Sequence, residues 1–145
     1  MSLAFAYPAT PAAPGGPVDL SSRAERERLS PAALRAFFQI VERWNLRDED
    51  ARLLLGGVSN GPYYQWRKNP DRTLDTDRIT RISYLVGIFK ALNILHGEAL
   101  ADEWVRLPNT NPLFRGRTPL AYMLAGGIPA MQNVRRLLDA RRGGA

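Results

Sequence analysis

The chain is predicted to fold as an all-α protein, on three observations. Apolar residues recur at helical spacing in every segment after the first thirty or so residues, and no stretch alternates apolar and polar as a half-buried strand would. Helix-start chemistry, a hydroxyl or carboxylate followed by proline or acids, and helix-stop glycines bracket those segments at Ser30–Pro31, Asp75, Gly97, Thr118–Pro119 and Gly126–Gly127. A hydrophobic fraction of 45% over 145 residues supplies enough apolar surface for one ordinary core.

The first element to justify is the absence of one. Pro8, Pro11, Pro14 and Pro17 recur every third residue among Ala and Gly, so residues 1–28 are read as a disordered or flexible N-terminal arm. Period three matches one face of a polyproline II helix, which leaves a docking motif open beside the plain leader. A helix then follows, with Ser30 as its cap, Pro31 at its first position and Leu29 stapled onto Leu34. Its apolar face is Leu34, Phe37, Phe38, Val41 and Trp44.

A short helix over residues 48–55 has Asp48, Glu49 and Asp50 at its N-terminus, where they suit the helix dipole and need no acid–base role. Gly56 and Gly57 end it. A third helix begins at Ser59 and stops before Asn69–Pro70. Asp75 is expected to cap the longest helix, over residues 76–95, whose Ile79, Ile82, Val86 and Phe89 keep a 3-4-3 spacing that Leu85 and Leu92 widen. A stripe that wide marks a core helix. Residues 98–106 add a short helix and residues 107–117 a loop rich in proline and asparagine. Thr118 caps a two-turn helix stopped by Gly126–Gly127, and a last helix carries Met131, Val134, Leu137 and Leu138 on one side.

Composition excludes several functions. There is no cysteine and one histidine, His96, so disulfides, thiol catalysis and a Cys/His metal centre are ruled out, and no cofactor is expected. His96 ends the long helix, where an imidazolium complements the dipole. The three tryptophans sit on apolar stripes and are most simply core residues. No apolar run spans a bilayer, and Pro8 breaks the apolar start before it resembles a secretory signal, so the expected location is the cytoplasm. The net charge is +6, and all of that excess lies in the last 40 residues, where seven arginines face the single acid Asp139. A small enzyme is argued against by this inventory, which lacks a nucleophile–base pair.

Short helix, glycine turn and short helix over residues 48–68 have the outline of a helix-turn-helix. Val58 would plug the angle, and Tyr63 and Trp66 would face the core. Ser59, Asn60, Tyr64, Gln65 and Lys68 would face outward, with Arg67 close by. These hydroxyls, amides and cations suit phosphates, and Asn60 or Gln65 suit adenine edges. Pro62 removes one side chain from that face, the second glycine lengthens the usual turn, and the local charge is only slightly positive. A hairpin kept for packing or dimerisation therefore stands beside the DNA-binding reading.

The run from Arg81 to Gly144 carries a Trp-containing helix followed by PN (Trp104, Pro108, Asn109), then NPLF-x-G-x-TPL (Asn111 to Leu120), then GG, and a terminal helix ending in GG. In these parts it resembles the toxin-binding domain of the Xre/MbcA/ParS antitoxin family, and LLGGVSNGPYYQW is similar to that family's Xre-type helix-turn-helix. The resemblance covers about residues 30–145. It implies a helix-turn-helix domain at residues 29–73 and a helical toxin-binding and dimerisation domain at residues 74–145. It further implies a homodimeric antitoxin whose partner is a RES-domain toxin, an NAD-consuming enzyme whose active site it occludes, with binding to operator DNA as a second activity. Beside this implication, the expected toxin contacts are Arg135, Arg136, Arg141, Arg142, Gly143 and Gly144, because a cationic, glycine-ended tail is thin enough to enter a cleft and can pair with acids. The alternative is a dimeric helix-turn-helix transcription regulator with no toxin partner.

Overall fold

The computed structural model describes residues 18–143, and the regular structure among them is all helical, with no strand. Six α-helices follow one another: α1 (Arg23–Arg43), α2 (Asp48–Leu54), α3 (Asn60–Lys68), α4 (Thr76–His96), α5 (Glu98–Trp104) and α6 (Pro119–Gly143), with a 3-10 turn at Pro112–Phe114 between the last two. The expectation of an all-α fold holds. The proline-rich stretch 1–17 and Gly144 lie outside the described residues.

The wide apolar stripe of α4 makes it the axis. It packs against α1, α5 and α6, while α3 rests on α1 and α2 reaches α6. Leu85, Ile88, Phe89, Ala91 and Leu92 are fully buried along it. Leu34, Phe37, Ile40 and Trp44 of α1 meet it from one side, and Met131, Val134 and Leu138 of α6 belong to the same contiguous core. Because one cluster runs from Ala33 to Leu138, the two expected domains share their hydrophobic interior. Arg43 ties them further, pairing with Asp102 at 2.8 Å and Glu98 at 3.2 Å while its guanidinium lies 5.1 Å from the Phe89 ring centre.

The start of α1 corrects the expected cap. The helix begins at Arg23, where the Ser22 hydroxyl accepts from the Glu25 amide, so residues 23–28 belong to α1 and not to the arm. Salt bridges Arg23–Glu27 and Arg28–Glu25 line its first turns. Ser30 is consequently inside the helix and fully buried, and Leu29 has no cap to staple. Pro31 removes only one helical hydrogen bond there, and the helix continues through it.

The Ser30 hydroxyl has a different role from the one its sequence context suggests. It donates to the Arg26 carbonyl at 2.6 Å and accepts from the Leu74 amide at 2.8 Å, joining α1 to the segment that enters α4. Ser30→Ala should therefore leave the buried Leu74 N–H without an acceptor and cost about 1–3 kcal/mol, read as a lower urea midpoint at unchanged slope. Asp75 also departs from expectation: it occupies the N-cap position of α4 but makes no capping bond, and pairs with Arg78 at 3.3 Å.

Candidate functional site

The C-terminal surface is built on a packed turn. In Asn109–Thr-Asn111, the Asn109 side chain accepts from the Asn111 amide and the Asn111 side chain from the Leu113 amide, both at 2.9 Å. These two bonds shape the 3-10 turn that drives Phe114 inward. Phe114 is fully buried, edge-on to Trp104 at 6.0 Å and to Tyr122 at 5.4 Å. The Thr118 hydroxyl then caps α6 by accepting from the Ala121 amide at 3.0 Å, and the Leu120 amide donates to the Val105 carbonyl at 2.8 Å. Asn111, Phe114, Thr118 and Leu120 of the NPLF-x-G-x-TPL string thus each have a local task, and together they set where α6 starts.

Gly127 sets where it turns. Its φ of 65° and ψ of −144° break α6 into two helical pieces, in a region that side-chain-bearing residues avoid. Pro129 falls in the first turn of the second piece, where its missing N–H costs nothing. Gly126 is needed for a different reason: a Cβ there would sit 2.7 Å from the Ala130 Cβ. The terminal piece is then held in register by Gln132 donating to the Tyr84 hydroxyl and Asn133 donating to the Tyr122 hydroxyl, each at 2.9 Å.

The expected toxin contacts divide on this helix. Arg136, Arg141, Arg142 and Gly143 are exposed. Arg136 is bonded to the Asn133 side chain at 3.0 Å, and Arg142 lies 3.7 Å from Asp139. Arg135 faces inward, paired with Asp139 at 2.9 Å and laid across Gly87 of α4, where a Cβ would come within 1.6 Å of its guanidinium. Nothing local to the long helix calls for glycine at position 87, and only the approach of α6 explains it. Gly87→Ala should expel the Arg135 guanidinium, which is mobile enough to leave, so stability should hold or rise by about 0.5–1 kcal/mol. A chemical-denaturation curve against wild type measures this; a large loss would mean that Arg135 cannot move.

On α3 the six expected DNA contacts are all exposed: Ser59, Asn60, Tyr64, Gln65, Arg67 and Lys68. Beneath them Val58 and Tyr63 are buried, while Trp66 is only half-buried. Gly56 and Gly57, with φ of 93° and 92°, turn the chain between α2 and α3, an arrangement consistent with a helix-turn-helix. Two of the six contacts are already engaged. The Tyr64 hydroxyl donates to Asp48 at the start of α2, and Arg67 lies 3.5 Å from the same carboxylate with its guanidinium 5.8 Å from the Phe38 ring centre. The hydrogen bond to Asp48 raises the Tyr64 phenol above its ordinary pKa, so it remains a donor at neutral pH. Ser59, Asn60, Gln65 and Lys68 present the remaining polar face.

Among the described residues no cluster of His, Asp or Glu could hold a metal, and no helix is long and apolar enough to cross a membrane.

The turn anchored by Phe114, the glycine-broken helix and its arginine-bearing end lie within residues 90–144, which match the family described as antitoxin Xre/MbcA/ParS C-terminal toxin-binding domain. The chain belongs to this antitoxin family. It is also 40% identical over 129 residues to the uncharacterized protein y4oB of Sinorhizobium fredii (strain NBRC 101917 / NGR234), an alignment covering 88% of this chain and 98% of that protein. No solved structure matches the chain. The match places a toxin-binding domain over the last third of α4 (residues 90–96), α5, the 3-10 turn and α6, and with it a toxin as partner.

Proposed function

We propose that this antitoxin neutralises a RES-domain toxin by laying its terminal helix and tail against the toxin's NAD-consuming active site, acting as a binder and not as an enzyme. The observation that carries this reading is the match of residues 90–144 to a toxin-binding domain, supported by an exposed helix end bearing Arg136, Arg141, Arg142 and Gly143. Arginines at such an end steer association toward an acidic rim by long-range attraction, so the on-rate should fall with salt. Gly144 extends the tail beyond the described residues. The test is co-expression with the product of the adjacent reading frame: a stable complex and rescued growth support the proposal, and neither complex nor rescue sinks it.

A second activity is favoured by the exposed α3 face: dimeric binding to operator DNA in the cytoplasm through the residue 29–73 unit, with residues 74–145 supplying toxin binding and dimerisation. Ser59, Asn60, Gln65 and Lys68 reach outward with no competing acid on α3 itself. A gel shift on the upstream region with Asn60, Gln65 and Lys68 changed to Ala should lose the retarded band, and the loss of Lys68 alone should lower the salt dependence. The same retardation with the triple variant would move the contact elsewhere. If DNA is bound but no toxin is, the chain is a helix-turn-helix regulator alone.

A further inference from the structure

The terminal piece of α6 runs parallel to α4, packed along it. Gln132 meets the Tyr84 hydroxyl, and three residues further along both helices Arg135 lies across Gly87. Each contact joins residues 48 apart in sequence, so the two helices advance in step, each rising about 1.5 Å per residue. Two turns beyond Gly87, on nearly the same line of α4, stands Ile94. The shared register brings it level with Arg142, in the last turn of α6 before Gly143. Gly87 is roofed by Arg135, whereas Ile94 is 58% exposed, more than any other large hydrophobic side chain among the described residues.

The facing side of α6 is charged. Arg135, Asp139 and Arg142 stand at i, i+4 and i+7, so they share the face that Arg135 turns onto α4. With Gly143 they line an open hollow of about 380 Å³. Both arginines pair with the one carboxylate, at 2.9 Å and 3.7 Å, which leaves the hollow with an excess positive charge. A single exposed isoleucine means little by itself. Its place carries the inference. The toxin-binding match takes in only residues 90–96 of α4, and within them Ile94 is the one exposed residue. An apolar spot beside arginines has the composition of an interface centre, where burial excludes water around the charged contacts.

We propose that Ile94 is an apolar anchor for the toxin, so that the contact spans the seam between α4 and α6 and not the arginine-bearing end alone. The complementary toxin surface is an apolar protrusion with an acidic neighbour. Its apolar side chain covers Ile94, and its carboxylate enters the hollow between Arg135 and Arg142. This inference rests on the reading of the chain as a toxin binder and adds where on α4 the toxin sits. Arginines steer the approach and lose their effect in salt, while burial of Ile94 holds the complex together and is felt in the dissociation rate.

The test uses the full chain and the toxin encoded beside it. Ile94→Ala should weaken the complex about thirtyfold, the scale of a hot-spot truncation, through faster dissociation at low and high salt alike. Ile94→Met should restore most of the affinity. The urea midpoint of the free chain should not move, because the side chain is exposed. Leu100→Ala, at an exposed leucine on α5, should leave capture unchanged. The chain has no cysteine, so Ile94→Cys supplies a lone thiol whose alkylation the toxin should slow, while Leu100→Cys stays reactive in the complex. Undiminished capture by Ile94→Ala, equal loss with Leu100→Ala, or alkylation of Ile94→Cys that the toxin does not slow overturns the anchor and leaves the toxin reading standing. No capture by the wild-type chain overturns both. Protection of the Ile94→Cys thiol in the free chain, relieved by dilution, gives the face to a second copy and overturns the anchor as well.

Discussion

Gly127→Val should cut toxin capture by at least about tenfold, or about 1.4 kcal/mol, while the operator binding proposed for α3 stays within error of wild type. The reason is backbone geometry. At φ 65° and ψ −144° a β-branched residue is strained by an amount of order 1–3 kcal/mol, and the chain relieves that strain by turning elsewhere. The terminal piece of α6 would then leave the core in a different direction, breaking the Gln132–Tyr84 and Asn133–Tyr122 hydrogen bonds that hold its register. Arg136, Arg141 and Arg142 would still be present but aimed away from a toxin surface. Co-purification with the toxin, together with a gel shift, separates the outcomes. Equal loss of both activities would mean general misfolding and not a misdirected helix.

Phe114→Ala should be the most destabilising of the changes considered, by about 3–5 kcal/mol, as expected for truncating a fully buried aromatic. Phe114 is the ring on which Trp104 and Tyr122 both pack, so its loss opens a cavity between α5 and the first piece of α6. Denaturation in urea measures the cost. Near-ultraviolet circular dichroism should also lose the Trp104 contribution before the helices melt. Toxin capture should fall in step, because the turn at Pro112–Phe114 fixes the start of α6. A variant that keeps wild-type stability would show that the turn holds its shape without the ring.

Both effects bear on elements that were legible in the sequence to different degrees. Thr118, Pro119 and Gly126–Gly127 announced a capped helix and its stop, and the structure has them so, because caps and glycine stops act within a few residues of themselves. Ser30–Pro31 announced a start that does not exist. The same chemistry lies inside α1, where the Ser30 hydroxyl serves a partner 44 residues away, Leu74. Local patterns cannot distinguish a serine that caps from a serine that bridges, since the difference lies in what packs above it.

The candidate surfaces divide in the same way. That Ser59, Asn60, Gln65 and Lys68 face outward follows from the period of α3, fixed by buried Val58 and Tyr63. That Tyr64 and Arg67 are held by Asp48 does not follow, because α2 and α3 had first to be brought together. Arginines at the chain's end were visible as a charge excess, yet their inequality was not. Arg135 is drawn inward by the gap that Gly87 leaves on α4, while Arg136 and Arg141 remain exposed.

Helix identity, order and polarity of face were thus determined by spacing and caps along the chain, because these depend on interactions spanning four residues or fewer. The sharing of one core by all six helices, the bridging task of Ser30 and the seat of Arg135 over Gly87 were decided only by the tertiary structure. Each arises from contacts between helices, and those depend on the shapes that two surfaces present once packed.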